Sequence, residues 1–342
     1  MTIHFNPWRG CQKVSAACKN CYAETLGSRF GEDFRGKRIV KAESGWREPL
    51  KWNRSYDEQM SQFRGGFGEF PERPRVFCTS LADVFEDWDG PIVDHNGIKQ
   101  MTNIGCDGGQ VRDLTMNDVR SRLFALIDAT PNLDWLLLTK RPENIQRMIP
   151  PYSYDACLTG DCPHQKQAEC DAAVDQNRHR DNLWLGTTVE NQEQADKRHD
   201  ELMSAASLCK YTFWSCEPLL GPVDMLRTCR NGPLPSWVIA GGESGSNARP
   251  SHPDWFLSLR DQCDDAGVPF HFKQWGEYRP STNFDPETIH DMRIDLKGRN
   301  VTHSPDLHDE SDAFMDRVGK KKAGRLLDGV EHNGMPGVTH AS

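Results

Sequence analysis

Three cysteines near the start of the chain have a spacing that could hold a metal. Cys11, Cys18 and Cys21 form a C-x6-C-x2-C run. Three thiolates are one ligand short of the four in a closed zinc site or a fully protein-ligated iron-sulfur cluster. One iron of a [4Fe-4S] cluster would then be open to the amino and carboxylate groups of S-adenosylmethionine. The run therefore predicts a metal site with a free coordination position.

Two other interpretations of this run remain open. The three cysteines could form a zinc knuckle completed by a distant Cys or His, or they could have no metal role. The chain has twelve cysteines, and its first ten residues are polar and lack the apolar core of a signal peptide. We therefore expect a reducing compartment, the cytoplasm, where cysteines are more often ligands or buried thiols than disulfides.

A second group of metal-ligand residues lies between residues 150 and 181. Cys157, Cys162, His164 and Cys170 have the spacing C-x4-C-x-H-x5-C, which could bind structural zinc and fold an otherwise coreless insertion. The alternative is a polar loop with unligated thiols.

Composition limits the class of protein. The chain has 342 residues, a net charge of -9 and no run of about 18 apolar residues, so we expect a soluble protein without a membrane partner. The acidic charge argues against a protein that coats nucleic acid. Residues 29–54 nevertheless carry eight basic and four acidic residues together with Trp46 and Trp52, a pattern suited to phosphates and unstacked bases. The alternative is a solvated surface whose tryptophans pack on the domain.

Short apolar runs alternate with segments of helical character. This alternation indicates parallel strands buried on both faces. A (βα) barrel and an open doubly wound sheet both fit, but polar clusters after the strands favour a barrel or partial barrel with one active-site face. We expect residues 1–280 to form it, with insertions at about 87–114 and 150–181 and a C-terminal extension at 281–342. The seven predicted strands lie near residues 3–8, 75–80, 135–139, 183–189, 211–215, 237–240 and 269–272.

Three glutamates follow three of these strands directly. They are Glu190, Glu217 and Glu243, and the last follows the pair Gly241 and Gly242. Glycines let backbone N–H groups approach a ligand, and a glutamate could bind an amine or hydroxyl. The alternative is that each carboxylate only favours the N-terminus of the next helix.

Six motifs in this order resemble a phage and bacterial family of radical-SAM-like proteins of poorly defined function. The resemblance covers most of residues 1–280, and residues 321–329 are similar to that family's C-terminal end. It implies a partial (β/α)6 TIM-like barrel with a [4Fe-4S] cluster in the loop after the first strand. Most radical-SAM loops have the shorter spacing C-x3-C-x2-C, although the family resembled has the longer gap. The motifs are residues 6–24, 138–143, 188–192, 215–222, 241–245 and 272–276.

The resemblance also implies roles for single residues. Cys11, Cys18 and Cys21 would hold three irons, and the fourth would bind S-adenosylmethionine, whose reductive cleavage yields a 5′-deoxyadenosyl radical that abstracts hydrogen from a substrate. An electron donor such as flavodoxin or ferredoxin would be needed. Lys140, Arg141, Lys273 and Gln274 suit a carboxylate or phosphate on the substrate. The expected contacts to S-adenosylmethionine are Ser80, Thr188, Glu190, Glu217, Gly241, Gly242 and Glu243.

Three hypotheses for the function follow. The first is modification, rearrangement or repair of a nucleobase in phage DNA, which would require the base to be flipped into the pocket, in the host cytoplasm if the chain is phage-encoded. The second is a radical enzyme acting on a small metabolite or nucleotide. The third is a non-catalytic, zinc-stabilised nucleic-acid-binding protein.

Overall fold

The computed structural model describes residues 2–104, 110–150, 179–281, 292–302 and 311–337. Strands and helices alternate along most of the chain. The predicted zinc group of Cys157, Cys162, His164 and Cys170 lies outside the described residues. The strands are β1 (Thr2–His4), β2 (Trp8–Arg9), β3 (Arg38–Val40), β4 (Arg75–Cys78), β5 (Ile92–Val93), β6 (Met101–Ile104), β7 (Gln110–Asp113), β8 (Asp134–Thr139), β9 (Arg180–Thr188), β10 (Cys209–Cys216), β11 (Trp237–Gly241), β12 (Phe270–Gln274), β13 (Tyr278–Pro280), β14 (Met292–Ile294) and β15 (Ala313–Arg317).

Nine α-helices occur in the described ranges, and none of them is long and apolar enough to cross a bilayer. Short 3-10 turns cover Ala16–Cys18, Pro142–Asn144 and Ala206–Leu208. The α-helices are α1 (Tyr22–Arg29), α2 (Glu43–Trp46), α3 (Glu48–Arg64), α4 (Met116–Asp128), α5 (Ile145–Met148), α6 (Gln192–Ser204), α7 (Met225–Thr228), α8 (Pro253–Ala266) and α9 (Lys320–Ala323).

A parallel seven-stranded sheet has the order β1-β4-β8-β9-β10-β11-β12. All seven predicted strands are confirmed, and the protein is α/β. The order follows the chain, as in a singly wound sheet, whereas a doubly wound sheet reverses its order at a switch point. The strands form because their apolar runs are buried on both faces. In β8, for example, Trp135, Leu136 and Leu137 are all buried.

The chain divides into two compact units. Unit 1 comprises residues 1–12, 23–185 and 204–210, and unit 2 comprises residues 13–22, 186–203 and 211–342. The expected boundary at residue 281 between barrel and C-terminal extension stays a prediction.

Unit 1 contains two small sheets besides its share of the large sheet. Strands β2, β3 and β5 form one of them, and β6 and β7 form an antiparallel hairpin. The segment 87–114, predicted as a surface excursion, thus contributes β5, whose residues Ile92 and Val93 are buried beside β3.

Unit 2 contains an antiparallel sheet and a C-terminal segment that pairs with β12. Strand β15 lies between β13 and β14 and buries Ile294, Tyr278 and Met315. Further on, the amide of Phe272 donates to the carbonyl of His332 (3.0 Å), and Gly334 donates to the carbonyl of Phe270 (2.9 Å). The predicted C-terminal extension is therefore hydrogen-bonded to the last strand of the large sheet.

A glycine is required where this segment meets β12. A Cβ on Gly334 would lie 2.6 Å from both the backbone nitrogen and the oxygen of Phe270, which is closer than real Cβ atoms approach. The pairing therefore depends on the missing side chain.

Candidate functional site

The three cysteines of residues 11–21, the cysteine loop, are not in disulfides and have intermediate exposure. Cys11 follows strand β2, Cys18 ends the 3-10 turn, and Cys21 directly precedes α1. Within the part of the chain that the structure describes, no three Cys, His, Asp or Glu side chains form a preassembled group that could hold a metal. The loop belongs to unit 1 up to Gln12 and to unit 2 from Lys13 onward.

In unit 1, a glycine sets the start of the loop. Gly10 has φ +106°, and a Cβ there would lie 2.6 Å from the carbonyl oxygen of Lys37. The next amide, that of Cys11, donates to the carbonyl of Phe34 (3.2 Å). The close approach and the positive φ together explain why glycine precedes the first cysteine.

Arg141 lies beside Cys11. Its Nη1 donates to Cys11 Sγ (3.6 Å) and to Asp83 Oδ2 (2.9 Å), and its Nη2 donates to the carbonyl of Gln12 (2.9 Å) and to Glu86 Oε1 (3.2 Å). The side chain is 8% exposed. Sequence analysis expected Arg141 to bind a substrate anion, but its terminal N–H groups are engaged by the loop and by two carboxylates.

Asp83 and Glu86 are the functional candidates that sequence analysis missed. Asp83 also accepts from the hydroxyl of Thr139 (2.7 Å) and from the amide of Lys140 (3.0 Å). Glu86 accepts from the amide of Gln12 (2.7 Å). The available signal was the pair of carboxylates three residues apart in the segment that follows strand β4.

Arg38 completes this network from the other side. Its Nε donates to Glu86 Oε2 (2.7 Å), and its guanidinium stacks on Trp88 at 3.6 Å from the ring centroid. Arg38 is fully buried and Trp46 is 5% exposed. Arg38 belongs to the basic segment 29–54, but as a buried, paired guanidinium it is not accessible to phosphates.

Other members of the basic segment are also paired within unit 1. Arg35 binds Glu24 (2.5 Å), and Lys41 binds Glu48 (3.3 Å). Trp52 packs edge-on against Phe5 at 6.4 Å. Trp46 and Trp52 thus pack on the domain, as the alternative interpretation expects, while nucleic-acid binding by the segment stays a prediction.

Burial and the neighbouring charges shift the pKa of the Cys11 thiol. Burial, together with the nearby carboxylates of Asp83 and Glu86, raises the pKa of the Cys11 thiol to about 12 against the opposing effect of Arg141. Burial would lower the pKa of Arg141, but Asp83, Cys11 and Glu86 outweigh burial and raise that pKa above its usual range. Arg141 thus stays charged, and Cys11 can bind a metal only with loss of its proton.

In unit 2, Glu190 holds the middle of the cysteine loop. Its Oε1 accepts from the amide of Ala17 (3.4 Å), and its Oε2 accepts from Arg198 Nη1 (2.8 Å). The same Arg198 nitrogen donates to the carbonyl of Thr188 (2.7 Å). Glu190 is fully buried. It is one of the expected contacts of S-adenosylmethionine, and the contact that the structure shows is with the cysteine loop.

Glu243 holds the loop near its end. Its Oε2 accepts from Asn20 Nδ2 (3.1 Å), and Arg249 binds both carboxylate oxygens (2.6 and 2.8 Å). Arg249 Nη2 also donates to the carbonyl of Ala16 (3.1 Å). Two of the three predicted glutamates are therefore anchors of the cysteine loop.

Glu217 is engaged differently. It accepts from Lys273 Nζ (2.8 Å) and from Gln274 Nε2 (3.0 Å), and Gln274 also reaches the hydroxyl of Ser244 (3.3 Å). The structure thus brings together Glu217, which was expected to contact S-adenosylmethionine, and Lys273 and Gln274, which were expected to contact the substrate. Glu217 and Lys273 remain partly exposed, with 21% and 52% of their side chains accessible.

The remaining residues predicted to contact S-adenosylmethionine or the substrate have different surroundings. In unit 1, Ser80 is bound by Asn6, whose Oδ1 accepts from the Ser80 amide (2.7 Å), and the side chain of Lys140 is partly exposed. In unit 2, Thr188 is fully buried, and its hydroxyl has no hydrogen-bond partner among the described residues. That hydroxyl is a free polar group at the carboxyl end of β9.

The glycine pair has a packing role. A Cβ on Gly242 would overlap the carbonyl oxygen of Trp275, and the amide of Gly242 donates to the carbonyl of Gln274 (2.9 Å). A Cβ on Gly241 would meet its nearest atom, the carbonyl oxygen of Gln274, at 3.3 Å. Gly242 is required by the close backbone approach after β12, whereas Gly241 has more room.

The sheet and the anchored loop define an α/β protein with a cysteine-bearing loop ahead of its first α-helix. A family model matches residues 1–105 and 110–336, and the chain belongs to this family, described as "Protein of unknown function (DUF5131)". No curated protein sequence and no solved structure matches the chain.

Proposed function

We propose that the chain is a radical S-adenosylmethionine enzyme whose Cys11, Cys18 and Cys21 hold a [4Fe-4S] cluster. The observation that carries this proposal is the anchoring of the cysteine loop. Buried Glu86 binds the loop amide at Gln12, and buried Glu190 binds the loop amide at Ala17. A carboxylate buried to hold a loop backbone indicates that the loop's side chains do the chemistry.

The donor set fits such a cluster. Three thiols on one short loop, none of them in a disulfide, are the soft ligands that iron-sulfur clusters take. Arg141 adds an N–H donor and a positive charge at Cys11 Sγ, where a bound thiolate would concentrate negative charge. When bound, the cluster would supply one electron to cleave S-adenosylmethionine.

The chain's own residues would position the cofactor and substrate. Arg141 orients Cys11, while Glu190 and Glu243 fix the part of the loop that carries Cys18 and Cys21. Glu217, which is partly exposed, is the glutamate with room for a contact to S-adenosylmethionine. Thr188 offers a hydroxyl without a partner in the described residues. The singly wound sheet supports a partial (β/α)6-type barrel that carries these groups at the carboxyl ends of its strands.

We propose a nucleobase in DNA as the substrate. The ion pairs of Arg35, Arg38 and Lys41 weaken the case for the predicted DNA-binding segment. Lys51 and Arg54 on α3 are exposed and remain the cations of that segment best placed for phosphates. The free nucleotide or metabolite is therefore the second candidate, and the paired cations favour it.

The test is spectroscopic and chemical. Protein purified without oxygen should show a broad visible absorption band that bleaches on addition of dithionite, and it should bind about four irons per chain. With a reductant such as dithionite or a flavodoxin, it should release 5′-deoxyadenosine from S-adenosylmethionine. A colourless protein that binds zinc but no iron would exclude this function and favour the zinc-stabilised nucleic-acid-binding hypothesis.

A further inference from the structure

Unit 2 contains a cavity that the proposed function does not use. Its volume is about 390 Å³, which is within the range of small-molecule sites. The loop after β12, strand β13 and the segment around α9 line it. None of its lining residues belongs to the cysteine loop or to the predicted contacts of S-adenosylmethionine or substrate.

Three cations line this cavity. They are Arg279 on β13, Lys322 on α9 and Arg325 just beyond α9, and among the described residues Asp328 is the one carboxylate that lines it. The side chain of Asp328 is 74% exposed and lies 3.7 Å from Arg260. The lining therefore has an excess of positive charge that its own carboxylate does not neutralise.

Arg279 and Arg325 retain donors for a ligand. The Nε atoms of both arginines are buried and have no hydrogen-bond partner among the described residues. Other nitrogens of Arg325 contact Asn333 and lie 3.8 Å from Glu331. A buried guanidinium N–H without an acceptor is costly, and an anion in the cavity would satisfy it.

The cavity also has apolar lining residues, and the aromatic one is held in place. Trp275 packs edge-on against Phe256 (5.3 Å) and Phe272 (5.1 Å), and its Nε1 donates to the carbonyl of Leu326 (2.8 Å). Leu326 is itself 54% exposed. An aromatic and an aliphatic side chain thus border the cationic part.

We propose that this cavity binds the phosphate group of a nucleotide through Arg279, Lys322 and Arg325, with the sugar or base against Trp275 and Leu326. Planar guanidinium groups suit phosphate oxygens, and a lysine adds a point charge. The nucleotide can be free or part of a single-stranded DNA, since both present the same phosphate chemistry. The inference does not depend on the iron-sulfur site.

The experiment measures binding to the full-length protein. ATP is titrated by calorimetry, and a short fluorescein-labelled single-stranded DNA by fluorescence polarisation. Lys322→Gln and Arg325→Gln should each raise the Kd by about tenfold, the usual effect of losing one charged contact. Lys321→Gln is the matched control, because Lys321 lies on the same helix and loses the same charge but does not line the cavity.

The outcomes separate the sources of the phosphate. Binding of ATP that depends on Lys322 supports a free-nucleotide site, and the same dependence for DNA alone supports a site for a strand. A Lys321→Gln effect as large as that of Lys322→Gln would show diffuse charge attraction and overturn the proposal. Failure of the wild-type protein to bind either ATP or the single-stranded DNA would also overturn the proposal.

Two further controls protect the interpretation. Lys322 is exposed, so its substitution should leave the circular dichroism spectrum unchanged even if Arg325→Gln misfolds. Cys18→Ser, which by the proposed function cannot hold the cluster, should bind the nucleotide with an unchanged Kd. Failure of the cluster assignment and failure of the nucleotide site are therefore distinguishable.

Discussion

Arg141 donates a hydrogen bond to the sulfur of Cys11 across 3.6 Å, although the two residues lie 130 positions apart in the chain. The same guanidinium bridges Asp83 and Glu86, which are both nearly inaccessible to solvent. The first cysteine of the loop thus lies against a buried ionic network.

Replacing Arg141 should be strongly destabilising. Arg141→Gln leaves Asp83 and Glu86 without one buried cation, and breaking a buried pair in this way typically costs about 3–5 kcal/mol. The free energy of unfolding from urea titration is the measurement. Arg147→Gln is the control, because its pair with Asp87 is exposed and should contribute at most about 1 kcal/mol. Equal small losses in both variants would contradict the network's structural role.

The cysteine loop should account for the iron. Cys11→Ser, Cys18→Ser and Cys21→Ser should each reduce bound iron and sulfide to background, since three ligands are the minimum for the proposed cluster. Cys229→Ala and Cys263→Ala remove buried thiols outside the loop and should retain the wild-type iron content. Full iron in the Cys18 variant would show that the loop does not hold the cluster.

Gly242 should matter for folding. Gly242→Ala places a methyl group on the carbonyl of Trp275, and overpacking of this kind costs about 1–3 kcal/mol or more. Gly241→Ala, whose Cβ would have ordinary clearance from all but one backbone oxygen, should cost less. Thermal unfolding of both variants gives the comparison. If Gly242→Ala instead weakened S-adenosylmethionine binding at unchanged stability, the glycine would be a ligand contact.

His199 should make stability depend on pH. Burial lowers the pKa of His199 against the opposing effects of Asp200 and the Pro233 carbonyl. The unfolded chain therefore takes up a proton near pH 6.5, where the folded chain does not, and stability falls as the pH drops below about 6.5. The slope from one histidine is at most about 1.4 kcal/mol per pH unit.

The measurement is the free energy of unfolding at about pH 7.5 and about pH 5.5, chosen to bracket that transition. His199→Asn should flatten the difference, whereas His95→Asn, at an exposed position, should leave it unchanged. If the free energy of unfolding of His199→Asn kept the full wild-type pH dependence, His199 would not be the source of that dependence.

The large sheet could be predicted because its strands are continuous apolar runs, a local property of the sequence. Strands such as β8 and β11 contain hardly any polar residues to obscure the pattern. Two-residue strands such as β5 carry too few residues for any periodicity, and their pairing depends on contacts with β3.

The side-chain roles were harder to predict. Arg38 and Arg141 look like surface cations in the sequence, because burial of an arginine depends on distant carboxylates that no local pattern reveals. The role of the glutamates after the strands as contacts of S-adenosylmethionine stays a prediction, and the sequence could not show that Glu190 and Glu243 bind the loop itself. Spacing reveals which residue types occur together along the chain, whereas partners depend on the folded topology.

The C-terminal segment that pairs with β12 has a consequence for the behaviour of the protein in solution. An open strand edge presents unsatisfied amides and carbonyls that recruit strands from other molecules. His332 and Gly334 occupy those groups on Phe270 and Phe272. Proteolysis or truncation ahead of residue 324 would leave them open to another chain, so the tail protects the molecule against aggregation.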